Sequence, residues 1–371
     1  MDTHAARIHP LLDATPTDAR VLRFDPCEPR RGRAHLECSL EARCNDARAR
    51  AHHSSIAWAL GLGLMAPDDG RSLARLEAAR FATLAARAYP ELAPEALELA
   101  ADWITFLFFY DDLCDRHASP ADAKSLRAAE DRLLQLARTP GSRARDEEDP
   151  LARALDSILA RVSARTGPRW RARFGERFAE YVEGVRWERA LRVRREIPSL
   201  ATYRRLRPLI SAVYPCLDLA ALLAGRPAHA RARALVEALE LMANNYISWV
   251  NDIYGVDKER VEGTTANLVL VLRHEQALSW DDAIERAIEQ CNAELRAFRS
   301  LERELALLGI AGEGQLVAHV HALQSWMRGN LDWHRETARY RDGSAAICAV
   351  KQRSDVLSPI IPNTWIAPHA S

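Results

Sequence analysis

Asn251-Asp252-Ile253-Tyr254-Gly255-Val256-Asp257-Lys258-Glu259-Arg260 lies in a stretch, between Pro227 and Pro359, that contains no proline. Proline deletes a backbone donor and clashes with the preceding helical turn, so its absence over such a length points to helix. Glycine is sparse there as well, and Ala, Leu, Glu and Arg, all strong helix formers, dominate. Working outward, apolar residues recur at helical spacing from about residue 52, and the strict alternation of a strand is hard to find. Ser119-Pro120-Ala121-Asp122, Thr139-Pro140-Gly141-Ser142 and Gly225-Arg226-Pro227 read as connections, and Gly309, Gly312 and Gly314 separate two further helices. Pro208 and Pro215 should break or kink an otherwise apolar helical stretch. The expectation is one all-α domain over 52–345, an irregular Pro- and Arg-rich leader over 1–51 and an irregular tail over 346–371.

Composition narrows the functional classes. The chain has 371 residues, 48% of them hydrophobic, with 51 Lys+Arg against 51 Asp+Glu. That length buries enough apolar surface to fold without metal or disulfide staples. Zero net charge removes the basic excess on which phosphate-backbone binding rests, which argues against a nucleic-acid partner and against polybasic membrane anchoring. The basic residues are almost all arginine, with Lys only at positions 124, 258 and 351, so most arginines read as solvated surface. Seven scattered cysteines without a CxxC fit a reduced, cytoplasmic protein. The N-terminus lacks a signal-peptide pattern, and no apolar run approaches the roughly 20 residues needed to span a bilayer.

Two clusters carry chemistry. Phe108-Phe109-Tyr110-Asp111-Asp112-Leu113-Cys114-Asp115 ends a very apolar run in three aspartates. On a helix Asp111 and Asp115 share a face, with Asp112 beside them. Acids packed this closely repel unless a cation neutralises them, and hard divalent ions such as Mg²⁺ prefer carboxylate oxygens. Ile104, Leu107 and Phe108 lie on the same face as Asp111, where a solvated helix end would be polar. In the second cluster Asn251, Gly255 and Glu259 fall at i, i+4 and i+8, and Asn244 and Ser248 continue that line upstream through an otherwise apolar helix. A buried row of polar groups needs partners.

Together the clusters resemble the class I terpene synthases, in particular the single-domain bacterial sesquiterpene cyclases. Asp111, Asp112 and Asp115 match that family's DDxx(D/E) motif, and Asn251, Asp252, Lys258 and Glu259 match its N-D-x-x-S-x-x-x-E motif, with 140 residues separating Asp111 from Asn251. One position departs: Gly255 stands where the family has Ser or Thr, so one ligand oxygen is missing. Arg339-Tyr340, 88 residues after Asn251, resembles the family's C-terminal Arg-Tyr pair, and Tyr203 to Pro215 resembles its broken helix with a diphosphate-sensing Arg. Arg207 is placed as that sensor by counting back from Ser211-Ala212 at the break; Arg204 and Arg205 compete for the role.

The resemblance implies an all-α helical bundle around a central cavity, three Mg²⁺ ions and a prenyl diphosphate substrate. It assigns Asp111, Asp112, Asp115, Asn251, Gly255 and Glu259 to the metal positions. Diphosphate contacts then fall to Arg207, Lys258, Arg339 and Tyr340, with Ser211 at the helix break. A cation kept from water needs aromatic faces. Phe108, Tyr214, Trp326 and Trp333 are the candidates, with Phe106 and Trp249 behind them; for each, core packing is an equal alternative. The activity implied is cyclisation of farnesyl diphosphate to a sesquiterpene hydrocarbon or alcohol, in a cytoplasmic monomer or homodimer. A diterpene cyclase acting on geranylgeranyl diphosphate is the competing enzyme, and a non-catalytic all-helical binding protein the competing class.

Overall fold

The computed structural model describes residues 20–37, 39–116, 123–139, 141–144, 149–224, 230–307 and 314–340. Among these there is no strand, only an isolated bridge between Arg30 and Arg33. The helices are α1 (Arg48–Gly61), α2 (Gly70–Ala79), α3 (Phe81–Ala88), α4 (Pro94–Arg116), α5 (Ala123–Arg138), α6 (Pro150–Ser163) and α7 (Pro168–Arg194). They continue with α8 (Leu200–Ile210), α9 (Val213–Ala224), α10 (Ala230–Glu262), α11 (Leu268–Gln276), α12 (Trp280–Leu307) and α13 (Gly314–Glu336). The proline-free stretch thus forms α10 to α13, with α10 in the middle of the bundle, packed on α8, α9, α11, α12 and α13. No described helix is long and apolar enough to cross a membrane.

The apolar run of α4 is buried on nearly every side, as a helix without a polar face must be. Trp103 and Phe106 stack at 5.5 Å, and Trp103 meets Phe174 of α7 at 5.0 Å. Each such fully buried aromatic contributes about 1.5–3 kcal/mol of transfer free energy. Phe106 is consumed by this core, and Trp249 is likewise buried outside the cavity with Arg204 above its ring, so neither is available to a substrate. Close backbone approach is decisive at Gly329. A Cβ there would lie 2.8 Å from the Arg87 carbonyl carbon and 2.9 Å from the Ala88 nitrogen, so a glycine lets α13 lie directly on the end of α3.

Two readings need refinement. Pro208 stays inside α8 and Pro215 occupies the first turn of α9, where a missing N–H costs nothing. The break falls between them, at Ser211 and Ala212, and Ala212 takes a left-handed φ of +57°. The described part of the leader has no helix before Arg48, four residues ahead of the expected start of the helical domain at residue 52, yet it is packed. Val21 and Leu22 donate backbone N–H groups to Asp257 of α10 at 2.7 and 3.1 Å, and Asp25 accepts from Tyr254 and Arg335 at 3.0 and 3.1 Å. Arg33 of the arginine run is paired with Asp282 and Glu285 of α12 rather than free in water. Helix α1 begins at Arg48. The connections at 119–122, 225–227 and 309–312 and the tail over 346–371 lie outside the described residues.

Candidate active site

A cavity of about 170 Å³ opens among α3, α4, α7, α8, α9, α10 and α13. Its wall is apolar below, where Leu84, Ile104, Leu107, Val213, Ile247 and Trp326 meet, and polar at the mouth, where Asp111, Arg207, Asn251, Lys258, Glu259 and Arg339 gather. Ser211, Phe108, Trp333 and Tyr340 also line it. Residues as far apart in the chain as Leu84 and Tyr340 therefore converge on one pocket.

At the end of α4, Arg339 donates to Asp111 Oδ2 at 3.1 Å and Asp112 Oδ1 at 2.9 Å. Its guanidinium also sits 4.7 Å from the Phe108 ring centre. Burial works against the Arg339 charge, but Asp112 and Asp111 outweigh it and hold its pKa well above the ordinary value. Asp112 is thus turned to Arg339 and lies outside the cavity lining, while Asp111 faces the mouth. Phe108 is fixed by stacking on Phe81 at 4.1 Å and leaning on Trp333 at 5.6 Å. The side chain of Asp115 lies outside the described residues.

Across the cavity, α10 presents Asn251 and Glu259. The Asn251 amide is oriented by its neighbours: Nδ2 donates to the Tyr340 hydroxyl at 2.8 Å and to His334 Nε2 at 3.2 Å, and Oδ1 accepts from Arg207 at 3.2 Å. His334 can accept there because its Nδ1 donates to the Asn330 carbonyl at 2.8 Å. Burial, with the Arg339 charge adding to it, lowers His334 to about 4, which keeps the ring neutral. Asn267 caps α11 with its oxygen and donates its Nδ2 to Glu259 Oε2 at 2.9 Å. Enclosure, and after it the nearby Asp252 charge, push the Glu259 carboxyl up to about 8. Glu259 Oε1 lies 2.7 Å from where a Cβ on Gly255 would be, so the carboxylate covers the position at which a serine side chain would stand.

Arg207 is the arginine that reaches this site. It donates to Asp252 Oδ1 through Nε at 3.0 Å and Nη2 at 2.6 Å, whereas Arg204 is spent on Gln290 at the surface. Lys258 lines the mouth and pairs with Glu262 at 2.8 Å. Tyr214 is a correction: it lies outside the cavity lining, because the first turn of α9 directs it toward α7, where the Arg177 guanidinium covers its ring at 4.2 Å. Trp326 and Trp333 do face the cavity.

Sequence reading overlooked Asp252, His334 and Asn267 as organisers. Asp252 is fully buried and also accepts from the Tyr203 hydroxyl and from Leu268 N at 2.6 Å, tying α8, α10 and α11 together. Its signals were its place in the N-D motif and its adjacency to Asn251, and neither shows this role, because adjacent helical residues point in different directions. Among the described residues no three His, Cys, Asp or Glu side chains are gathered as a ready ligand cluster. The donors on the two facing helices are nonetheless carboxylate and amide oxygens, the chemistry that suits a hard divalent ion held with waters and a phosphate. Arg339 between Asp111 and Asp112 supplies positive charge where those acids otherwise repel.

Over residues 102–297 the chain matches the family described as terpene synthase family 2, C-terminal metal binding. It is 35% identical over 289 residues to a (+)-T-muurolol synthase of Roseiflexus castenholzii, described as (2E,6E)-farnesyl diphosphate cyclizing, across 77% of this chain and 87% of that one. A (-)-delta-cadinene synthase of Streptomyces clavuligerus is 30% identical over 304 residues, covering 80% of this chain and 91% of that one. The crystal structure of linalool/nerolidol synthase from Streptomyces clavuligerus aligns with a TM-score of 0.70 over 81% of this chain and 100% of that one; at 24% identity the likeness is one of fold.

Proposed function

This chain belongs to the bacterial-type class I terpene cyclases, and from that premise we propose that it ionises farnesyl diphosphate with Mg²⁺ and cyclises the resulting cation to a sesquiterpene hydrocarbon or alcohol. The observation that carries the reading is the division of one cavity into a charged mouth and an aromatic, apolar interior. The same reading assigns the chemistry to residues 52–345 of a cytoplasmic enzyme.

Asp111, Asp112 and Asp115 on one side and Asn251 and Glu259 on the other would hold the metal ions, three by family resemblance. Divalent ions held there would supply the Lewis-acid charge that lets the diphosphate leave with the electron pair of the allylic C–O bond. Arg207, Lys258, Arg339 and the Tyr340 hydroxyl donate hydrogen bonds to the departing diphosphate. Phe108, Trp326 and Trp333 offer ring faces to the cation, and the closely packed interior excludes water until a proton is lost or one water is admitted. Gly255 adds no ligand oxygen, so Asn251 and Glu259 carry the second cluster alone.

The experiment is parallel incubation with geranyl, farnesyl and geranylgeranyl diphosphate in Mg²⁺, with products identified by gas chromatography and mass spectrometry. A cyclic C15 product that disappears in Asp111→Asn and Asn251→Ala is expected. A cyclic C20 product would transfer the activity to geranylgeranyl diphosphate, and no hydrocarbon or alcohol from any of the three would refute the reading.

A further inference from the structure

Asn244 stands two helical turns before Asn251 on α10, is completely buried, and has no place in the metal or diphosphate set described above. Its partners all belong to the helix break. Helix α8 ends at Ile210 and α9 begins at Val213, so the last carbonyls of α8 lose their helical donors. The Pro208 carbonyl is one of them, and Asn244 Nδ2 donates to it at 3.0 Å. Asn244 Oδ1 in turn accepts from the Ser211 hydroxyl at 2.8 Å and from the Ser248 hydroxyl at 2.9 Å. Ser211 Oγ also lies 3.0 Å from the Pro208 carbonyl and accepts from Val213 N at 3.3 Å.

This arrangement determines which way the amide points. A carbonyl only accepts, so the NH₂ must face Pro208, and the oxygen must face the two hydroxyls. Neither a carboxylate nor an aliphatic side chain of the same size reproduces that pattern. The network also touches the diphosphate side of the cavity: the Ser248 carbonyl accepts from Arg207 Nη2 at 3.4 Å, and Arg207, Ser211 and Ser248 all line the pocket. Between them Ala212 is held at a left-handed φ of +57°, a conformation a non-glycine residue keeps only where its surroundings impose it.

We propose that Asn244 is a positioning residue for the cyclisation: it pins the broken helix to α10, so that Ser211 and the main chain at the break stay in register with Arg207. The inference rests on the reading that diphosphate is engaged at Arg207 beside this break. Without the amide, the Pro208 carbonyl and the Ser211 hydroxyl are free to turn, and Ala212 loses what holds its backbone. The reacting carbon would then meet a displaced wall of the cavity while the mouth that binds diphosphate is unchanged.

The test compares the wild type with Asn244→Leu and Ser211→Ala, measuring kcat, KM for farnesyl diphosphate, thermal midpoint and product ratio. A product ratio is set within each turnover, so a loss of folded enzyme alone leaves it unchanged. Displacement of about an ångström at a reacting centre costs on the order of 100-fold in rate. Asn244→Leu is expected to lose kcat on that scale with KM nearly unchanged, and to release more acyclic product. Ser211→Ala, which removes one partner and leaves the amide in place, should move the product ratio the same way to a smaller extent. If Asn244→Leu does not fold, the Ser211→Ala ratio decides. Wild-type product ratios in every folded variant would overturn the proposal; a wild type that converts no prenyl diphosphate would overturn the functional reading and the proposal with it.

Discussion

Replacing Asp252 by Asn should be far more damaging than its single-atom change suggests. The wild-type carboxylate is fully buried and uses each oxygen twice. Oδ1 accepts from Arg207 at 3.0 and 2.6 Å, and Oδ2 accepts from the Tyr203 hydroxyl and from Leu268 N at 2.6 Å. An amide has one acceptor oxygen and one NH₂, so in either orientation two hydrogen-bond donors face a third. With the oxygen toward Arg207, Tyr203 can rotate its hydroxyl to accept but the Leu268 N–H is stranded, at about 1–3 kcal/mol. The guanidinium also loses its counter-charge while its own side chain is only 10% exposed. Removing one partner of a buried pair costs about 3–5 kcal/mol. The two contributions overlap, and we expect roughly 4 kcal/mol in total, close to a thousandfold in the folding equilibrium constant. Urea denaturation, read as the midpoint shift multiplied by the slope, measures it. Pairing Asp252→Leu with Arg207→Met adds a test of sign, because removing both charges should be less destabilising than removing Asp252 alone. A loss below about 1 kcal/mol for Asp252→Asn, or a double variant worse than Asp252→Leu, would refute this account of the site's foundation.

Three further outcomes follow from the geometry. Arg339→Gln leaves Asp111 and Asp112 without the guanidinium that bridges them and removes a donor from the diphosphate side; kcat/KM for farnesyl diphosphate should fall by about 100- to 1,000-fold, by steady-state kinetics. Gly255→Ser presses on the far end of the Glu259 side chain, 2.7 Å from the new Cβ, rather than on backbone, and supplies the absent hydroxyl, so the half-saturating Mg²⁺ concentration should drop up to about tenfold, worth about 1.4 kcal/mol; an unchanged titration would contradict this. Gly329→Ala meets backbone atoms of α3 at 2.8 and 2.9 Å, which cannot move aside, and should cost about 1–3 kcal/mol in the same urea experiment.

The readable and unreadable parts of the site differ in how far apart in the chain the interacting groups lie. Asp111 and Asp112 at the end of an aromatic helix, and Asn251 with Glu259 two turns on, were legible because helical periodicity alone sets which side chains share a face. The same logic found the row Asn244, Ser248 and Asn251 without showing what it binds. Tyr214 was misplaced since its position, near the break, says nothing about whether its ring turns to the cavity or to Arg177 on α7. Pro208 and Pro215 bracketed the interruption correctly, but the interruption settled on Ser211 and Ala212, where buried partners on α10 hold the chain in a conformation proline does not dictate.

Sequence by itself determined the all-α architecture, the two acidic helix ends and the lone Gly255, since composition, proline placement and a period of 3.6 are local properties of the chain. Tertiary structure alone decided that Arg339, 228 residues from Asp111, bridges its carboxylate, that Asp252 anchors Arg207, and that His334 and Tyr340 hold the Asn251 amide with its oxygen toward Arg207. Those pairings follow from how α4, α8, α10 and α13 pack. The orientation of a buried polar side chain is chosen by whichever donors and acceptors packing brings within about 3 Å of it, and no spacing along the chain encodes that choice.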